Sequence, residues 1–142
     1  MIILDTNVIS EPLKLRPSPE VLDWFDRQAD ATLYLTAPGL SEVLAGVALL
    51  PAGRKRTVLQ EGFDELVRNR IGTPVLPFDA ESAIAYAATV ARVRAAGRSV
   101  SVLDGQIAAI ALVHGCAVAT RDAAPFEHAG VPIIDPWHAI AA

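Results

Sequence analysis

The chain has 142 residues, with 12 basic against 16 acidic side chains, a net charge of −4 and a pI near 5.3. That length suits one domain, 1–142, whose core needs no staple, and the one cysteine, Cys116, excludes an intramolecular disulfide and a cysteine-based zinc site. No apolar run approaches the ~20 residues of a membrane span, and Met1–Asp5 lacks the basic start of a secretory signal, so a cytoplasmic protein is expected.

Residues 2 to 4 form a short apolar run of the buried-strand type, ended by Asp5. Ser18-Pro19 reads as an N-cap followed by proline at the first helical position, with Val21, Leu22, Trp24 and Phe25 as the apolar face behind it. Residues 32 to 36 read as a second strand. Pro38 opens a helix with Leu40, Val43, Leu44 and Val47 at the i, i+3, i+4, i+7 spacing of a buried stripe. Pro51 and Gly53 break the chain before a helix carrying Leu59, Phe63, Leu66 and Val67, and a short strand is expected near Val75 and Leu76. Asp79 N-caps a long helix that runs to Gly97. Ser101 caps the next one, with Asp104 in its first turn and Gly115 at its end. Residues 117 to 120 and 132 to 134 are two further short strands. Strands alternating with helices specify an α/β domain with a mostly parallel sheet between helical layers, although strand order is not readable. The surplus of apolar residues, 52% of the chain, is read as a subunit interface.

In open α/β sheets ligands bind beyond the carboxyl ends of the strands, where Asp5 lies. Asp79, Asp122 and Asp135 also follow expected strands. Asp79 has a sufficient task as a helix cap, and Asp135 precedes Pro136 in a common turn arrangement. Asp104 is more telling, because the helix it opens, from Gly105 to Val113, is apolar almost all round and must be buried. The helix dipole favours an acid there, and a cap alone would leave a lone charge near the core. Glu42 lies opposite its helix's apolar stripe and, on periodicity, is an ordinary exposed glutamate. Carboxylates from separate segments, with no histidine or cysteine set beside them, specify a hard cation such as Mg²⁺ or Mn²⁺. His114, His128 and His138 have no ligand-type spacing.

Net charge alone argues against a nucleic-acid binder, whose surface is usually basic. With four acids set aside in one metal site, the remaining acids equal the basic residues in number. The basic residues also cluster, at Arg54-Lys55-Arg56, at Arg68 with Arg70, and at Arg92 with Arg94 and Arg98. Each cluster suits a phosphate backbone, and each equally suits a solvated helix face.

Taken in order, these segments resemble the PIN-domain family, in particular the VapC and FitB-like toxins of bacterial toxin–antitoxin pairs. The resemblance is carried by Ile2-Ile3-Leu4-Asp5-Thr6-Asn7-Val8-Ile9-Ser10-Glu11, by Ser41-Glu42, and by Ser101-Val102-Leu103-Asp104 with Ile107 and Ala108. It closes on Val118-Ala119-Thr120-Arg121-Asp122, Phe126, Gly130-Val131 and Pro136-Trp137. It spans nearly the whole chain. It matches Glu42 to the family's second acid, against the reading from periodicity. Many relatives place the last acid just before the phenylalanine, where this chain has Pro125. Asp122, the only acid in that segment before Glu127, is therefore assigned the fourth place.

The resemblance implies a PIN-like three-layer α/β/α sandwich and a metal-dependent ribonuclease toxin. Asp5, Glu42, Asp104 and Asp122 would hold Mg²⁺ or Mn²⁺, directly or through water. Thr6, Asn7 and Thr120 are candidates for orienting the carboxylates or the attacking water, with local turn hydrogen bonding as their plainer role. Arg121 is a candidate contact for substrate phosphate, and an exposed arginine at a strand end also needs no such task. The implied partners are an RNA substrate, a small cognate antitoxin and a second copy of the chain, with no membrane.

Two other classes are weighed. A haloacid-dehalogenase-type phosphatase would need an aspartate where Asn7 stands, and no GxxxxGK[ST] or GxGxxG loop exists for a nucleotide. The stronger rival is a PIN-like module that binds RNA or protein without cutting, for which Pro125 is the support.

Overall fold

The computed structural model describes residues 1–139. Its strands are β1 (Ile2–Leu4), β2 (Leu33–Tyr34), β3 (Ala117–Ala119) and β4 (Ile133–Ile134), in the spatial order β2-β1-β3-β4. Every pairing is parallel, with Ile3 opposite Tyr34 on one side and Val118 on the other. The helices are α1 (Thr6–Ser10), α2 (Pro19–Arg27), α3 (Ala37–Ala48), α4 (Arg54–Leu66), α5 (Ala80–Ala95), α6 (Val102–His114) and α7 (Ala124–His128).

Alternation along such short strands divides the core in two. Leu4, Leu33 and Ala119 pack with Val8, Ile9, Trp24, Val43 and Phe63, which come from α1 to α4. Ile3 and Val118 pack on the opposite face with Ile107, Ile110 and Phe126 from α6 and α7. The sheet is therefore covered on both faces, as the expected three-layer sandwich requires. No helix among the described residues is long and apolar enough to cross a membrane.

Asp79 and Ser101 cap α5 and α6 as expected, each accepting a backbone N–H in the first turn; α3 is capped by Thr36 ahead of Pro38, and Ser18 precedes α2 without a side-chain cap bond. The stretch at Val75 and Leu76 departs from expectation, since it makes only an isolated bridge between Leu76 and Thr36. The expected strand at 32 to 36 is shorter too, because Thr36 already caps α3. Leu22 and Leu44 lie off the buried stripes and are exposed. Four elements were not anticipated: α1, the 3₁₀ turn Glu11–Leu13, the π-helical turn Val67–Ile71 and α7. Each is five residues or fewer, too short for a 3.6-residue period to register.

Helix α6 carries the first-turn acid and is the most buried helix: Ile107 and Ile110 are fully enclosed, each contributing about 1.5–3 kcal/mol. It lies along α5 and touches α3, α7 and β3. Gly105 permits this approach, since a Cβ there would stand 2.8 Å from the Tyr86 ring. Overpacking costs roughly 1–3 kcal/mol, more than the ~1 kcal/mol of helix propensity that alanine gains over glycine. Gly105→Ala should therefore destabilise the chain by about 1 kcal/mol in urea unfolding. The same change should become favourable in a Tyr86→Ala background, and an equal cost in both backgrounds would contradict the contact.

Candidate active site

The sheet order places a switch point between β1 and β3. The chain leaves β1 toward β2 on one side, while β3 and β4 lie on the other. Asp5 follows β1 and Thr120 follows β3, so both stand where a parallel sheet opens a crevice. The two strand ends are joined directly, the Asp5 N–H donating to the Ala119 carbonyl at 3.0 Å.

Asp5 is 4% exposed. Its Oδ1 accepts the Thr6 N–H at 2.8 Å, which starts α1, and its Oδ2 accepts the Thr120 hydroxyl at 2.8 Å and the Asn7 amide at 3.3 Å. Thr120 Oγ1 in turn accepts from the Asn7 amide at 3.3 Å and the Asp122 N–H at 3.0 Å, so that hydroxyl has no capacity left. Asn7 Oδ1 accepts the Arg121 N–H at 3.2 Å. Of the orienting candidates, Thr6 acts through its backbone and Asn7 and Thr120 through their side chains.

Burial pushes the Asp5 carboxyl above the ordinary aspartate value. Hydrogen bonds from Thr120 and Thr6 oppose the shift, and the negative charges of Asp104 and Glu42 add to it. Asp104 is raised as well, by burial first, against its Ser101 contact and with the charges of Asp122 and Glu42. Its N–H donates to the Ser101 hydroxyl, so the cap and the acid share one turn. Asp5 thus feels Asp104 and Glu42, and Asp104 feels Asp122 and Glu42. Glu42 is exposed on α3, and Asp122 is exposed and held only through its backbone.

The donor set consists of oxygens, as a hard cation prefers. Among the described residues, however, no three acid, histidine or cysteine side chains stand close enough to hold one ion between them. A Mg²⁺ that keeps several of its waters fits this spacing, whereas an ion ligated wholly by protein does not.

A groove of about 1060 Å³ leads away from Thr6, Asn7 and Glu42, walled by Leu13, Val43, Val47, Val58 and Leu59 together with Lys14, Arg54 and Lys55. Of the basic clusters, only the one beginning at Arg54 reaches it. Arg70 pairs with Asp26, and Arg92 Nη2 donates to the Ala129 carbonyl at 2.5 Å. Asp79 and Asp135 have the local tasks expected of them, Asp135 accepting the Trp137 N–H and facing His138.

Sequence reasoning gave Glu11 no role, yet it is 5% exposed. It accepts the Ser18 N–H at 3.0 Å and meets Lys14 Nζ at 2.6 Å, pinning the loop that carries Lys14 and Leu15 beside the groove. Burial pushes its carboxyl up, but Lys14, the Ser18 N–H and Arg121 outweigh that and leave it lowered. Its signal in the sequence is slight: an acid before proline with lysine three residues on.

The family model for the PIN domain matches residues 2–131. The VapC ribonuclease Y4jK of Sinorhizobium fredii is 46% identical over 137 residues, covering 96% of this chain and 98% of that protein. Toxin FitB of Neisseria gonorrhoeae is 41% identical over 138 residues, covering 97% and 99%. The solved structure of FitAB bound to an IR36 DNA fragment superposes with a TM-score of 0.91 at 40% identity, covering 99% of each chain.

Because the Asp5 carboxyl is raised, it keeps its proton in the folded chain at pH values where the unfolded chain has lost it. The Asp5 contribution to the stability of the metal-free protein is therefore present at low pH and is lost as pH rises from 3.8 through the raised value. In chelator, Asp5→Asn should gain on the wild type over that window, read as the difference between urea midpoints. A difference that does not change with pH would contradict the raised carboxyl.

Proposed function

The chain belongs to the PIN-domain family, and from that premise we propose that it is a metal-dependent ribonuclease toxin, one domain over 1–142, working in the cytoplasm. The observation that carries the reading is the Asp5 carboxylate, buried at the switch point with its charge disfavoured and with Asp104 and Glu42 adding to the repulsion. A divalent cation relieves that repulsion. Asp5, Glu42, Asp104 and Asp122 are the proposed carboxylate set for Mg²⁺ or Mn²⁺. When bound, such an ion supplies a Lewis acid for phosphoryl oxygens and lowers the pKa of a water.

The chain's own residues then act by position. Thr120 and Thr6 fix both oxygens of Asp5, so this carboxylate needs little reorganisation. Asn7 holds the ends of β1 and β3 in register through Asp5, Thr120 and the Arg121 N–H. Glu42 and Asp122, both exposed, are free to close on hydrated substrate. Pro125 falls in the first turn of α7, where a missing N–H costs nothing, so its departure from the family pattern has a local reason.

A small cognate antitoxin is the proposed inhibitor, with the groove beside Glu42 as a seat for its tail. A homodimer is supported by apolar side chains left in solvent, Ile84 at 74% and Val102 at 63% exposure. The support for the other reading, a PIN-like module that binds without cutting, is Pro125, which stands where many relatives carry an acid.

Incubation of the chain, freed of any partner, with mixed cellular RNA under Mg²⁺, Mn²⁺ or EDTA decides between them. The wild type should cleave only with metal. Asp5→Asn should lose about 100-fold or more, and Thr120→Val about 10- to 100-fold. Folded wild type that cuts no RNA with either metal would leave the binding module. In thermal melting, Mn²⁺ should raise the midpoint of the wild type and leave Asp5→Asn unmoved; equal shifts would place the ion elsewhere.

A further inference from the structure

We propose that Arg121, stacked on Trp137, is the anchor that holds an RNA backbone phosphate beside the acid cluster; the assignment rests on the ribonuclease reading and adds to it the group that binds substrate. A site built from carboxylates repels the polyanion it is to cut, so a cation at its edge has to offset that field. Arg121 follows Thr120, whose hydroxyl holds Asp5, and precedes Asp122. Its backbone is fixed by the Asn7 side chain at 3.2 Å, the same side chain that reaches Asp5.

Arg121 is exposed, and although its charge reaches Glu11, no ion pair among the described residues uses it. Some other basic side chains have partners: Lys14 is held by Glu11, Arg70 by Asp26, and Arg92 by the Ala129 carbonyl. What Arg121 has instead is an aromatic face, its Cζ standing 5.0 Å from the centre of the Trp137 ring. A guanidinium held over an aromatic face can still offer its N–H edge to phosphate in a two-point contact. Stacking also fixes a long side chain in advance, so less entropy is lost when substrate arrives. Trp137 is itself secured, its N–H donating to Asp135 at 2.9 Å and its ring packed on the core.

The test reads binding of a short fluorescent single-stranded RNA of mixed sequence across a range of salt, in the Asp5→Asn background so that the RNA stays intact. Adding Arg121→Ala should weaken binding about 10- to 100-fold and lower the slope of log Kd against log salt by about one. Arg121→Lys should keep the slope and recover only part of the affinity, and Trp137→Leu should weaken binding with the slope intact. A purely structural clamp would lower the melting temperature and leave the salt slope unchanged. Folded Arg121→Ala protein with the parent's affinity and slope overturns the assignment. If the wild type cleaves RNA in the same preparation, only Arg121 is then misassigned. If the wild type neither cuts nor binds RNA, the ribonuclease reading fails and the anchor goes with it.

Discussion

A carboxylate at the end of a buried strand has lost most of its water, and its charge must be met by whatever the fold brings within reach. At Asp5 that is a helix N–H, a threonine hydroxyl from the neighbouring strand end and an asparagine amide. These contacts lower the cost of the charge without cancelling it, since the carboxyl remains raised. Much of the architecture serves this one position. The parallel pairing of β1 with β3 delivers Thr120, the abrupt start of α1 delivers the Thr6 N–H, and the burial of α6 brings Asp104 within electrostatic range.

The same arrangement places the four acids unequally. Asp5 and Asp104 stand on buried elements and their places are set by packing. Glu42 stands on the exposed face of α3 and Asp122 in an exposed loop, where only its backbone is held, by Thr120. Carboxylates gathered near one another disfavour each other's charge. On the proposed reading, the cation and the substrate phosphate supply the closing force, and the basic side chains around the groove and Arg121 compensate for the acids on the substrate's path.

The layered fold was legible because its signals are physical and local. Proline after serine, capping residues three positions ahead of a turn, and a helix apolar on all sides each have one structural meaning, and Ser101 and Asp79 cap as expected. Asp5 and Asp104 were legible for the same reason, one ending a buried strand and the other opening a buried helix. Glu42 was not. Periodicity assigns it correctly to an exposed face, and only the tertiary approach of α3 to α1 brings that face to the groove. Glu11 was missed because its burial depends on the loop folding back to Ser18, a contact between non-adjacent residues that no helical or strand period encodes. Likewise Arg121 and Trp137 lie sixteen positions apart and meet only through the turn at Asp135.

The central claim is that the Asp5 carboxylate belongs to a divalent-cation site. Crystals of the chain soaked in Mn²⁺, measured where manganese scatters anomalously, test it most directly. The account predicts an anomalous peak bounded by Asp5 and Asp104, with Glu42 or Asp122 drawn toward it, and no such peak in Asp5→Asn crystals. Manganese found only at distant surface carboxylates, or none at concentrations that support RNA cleavage, would contradict it.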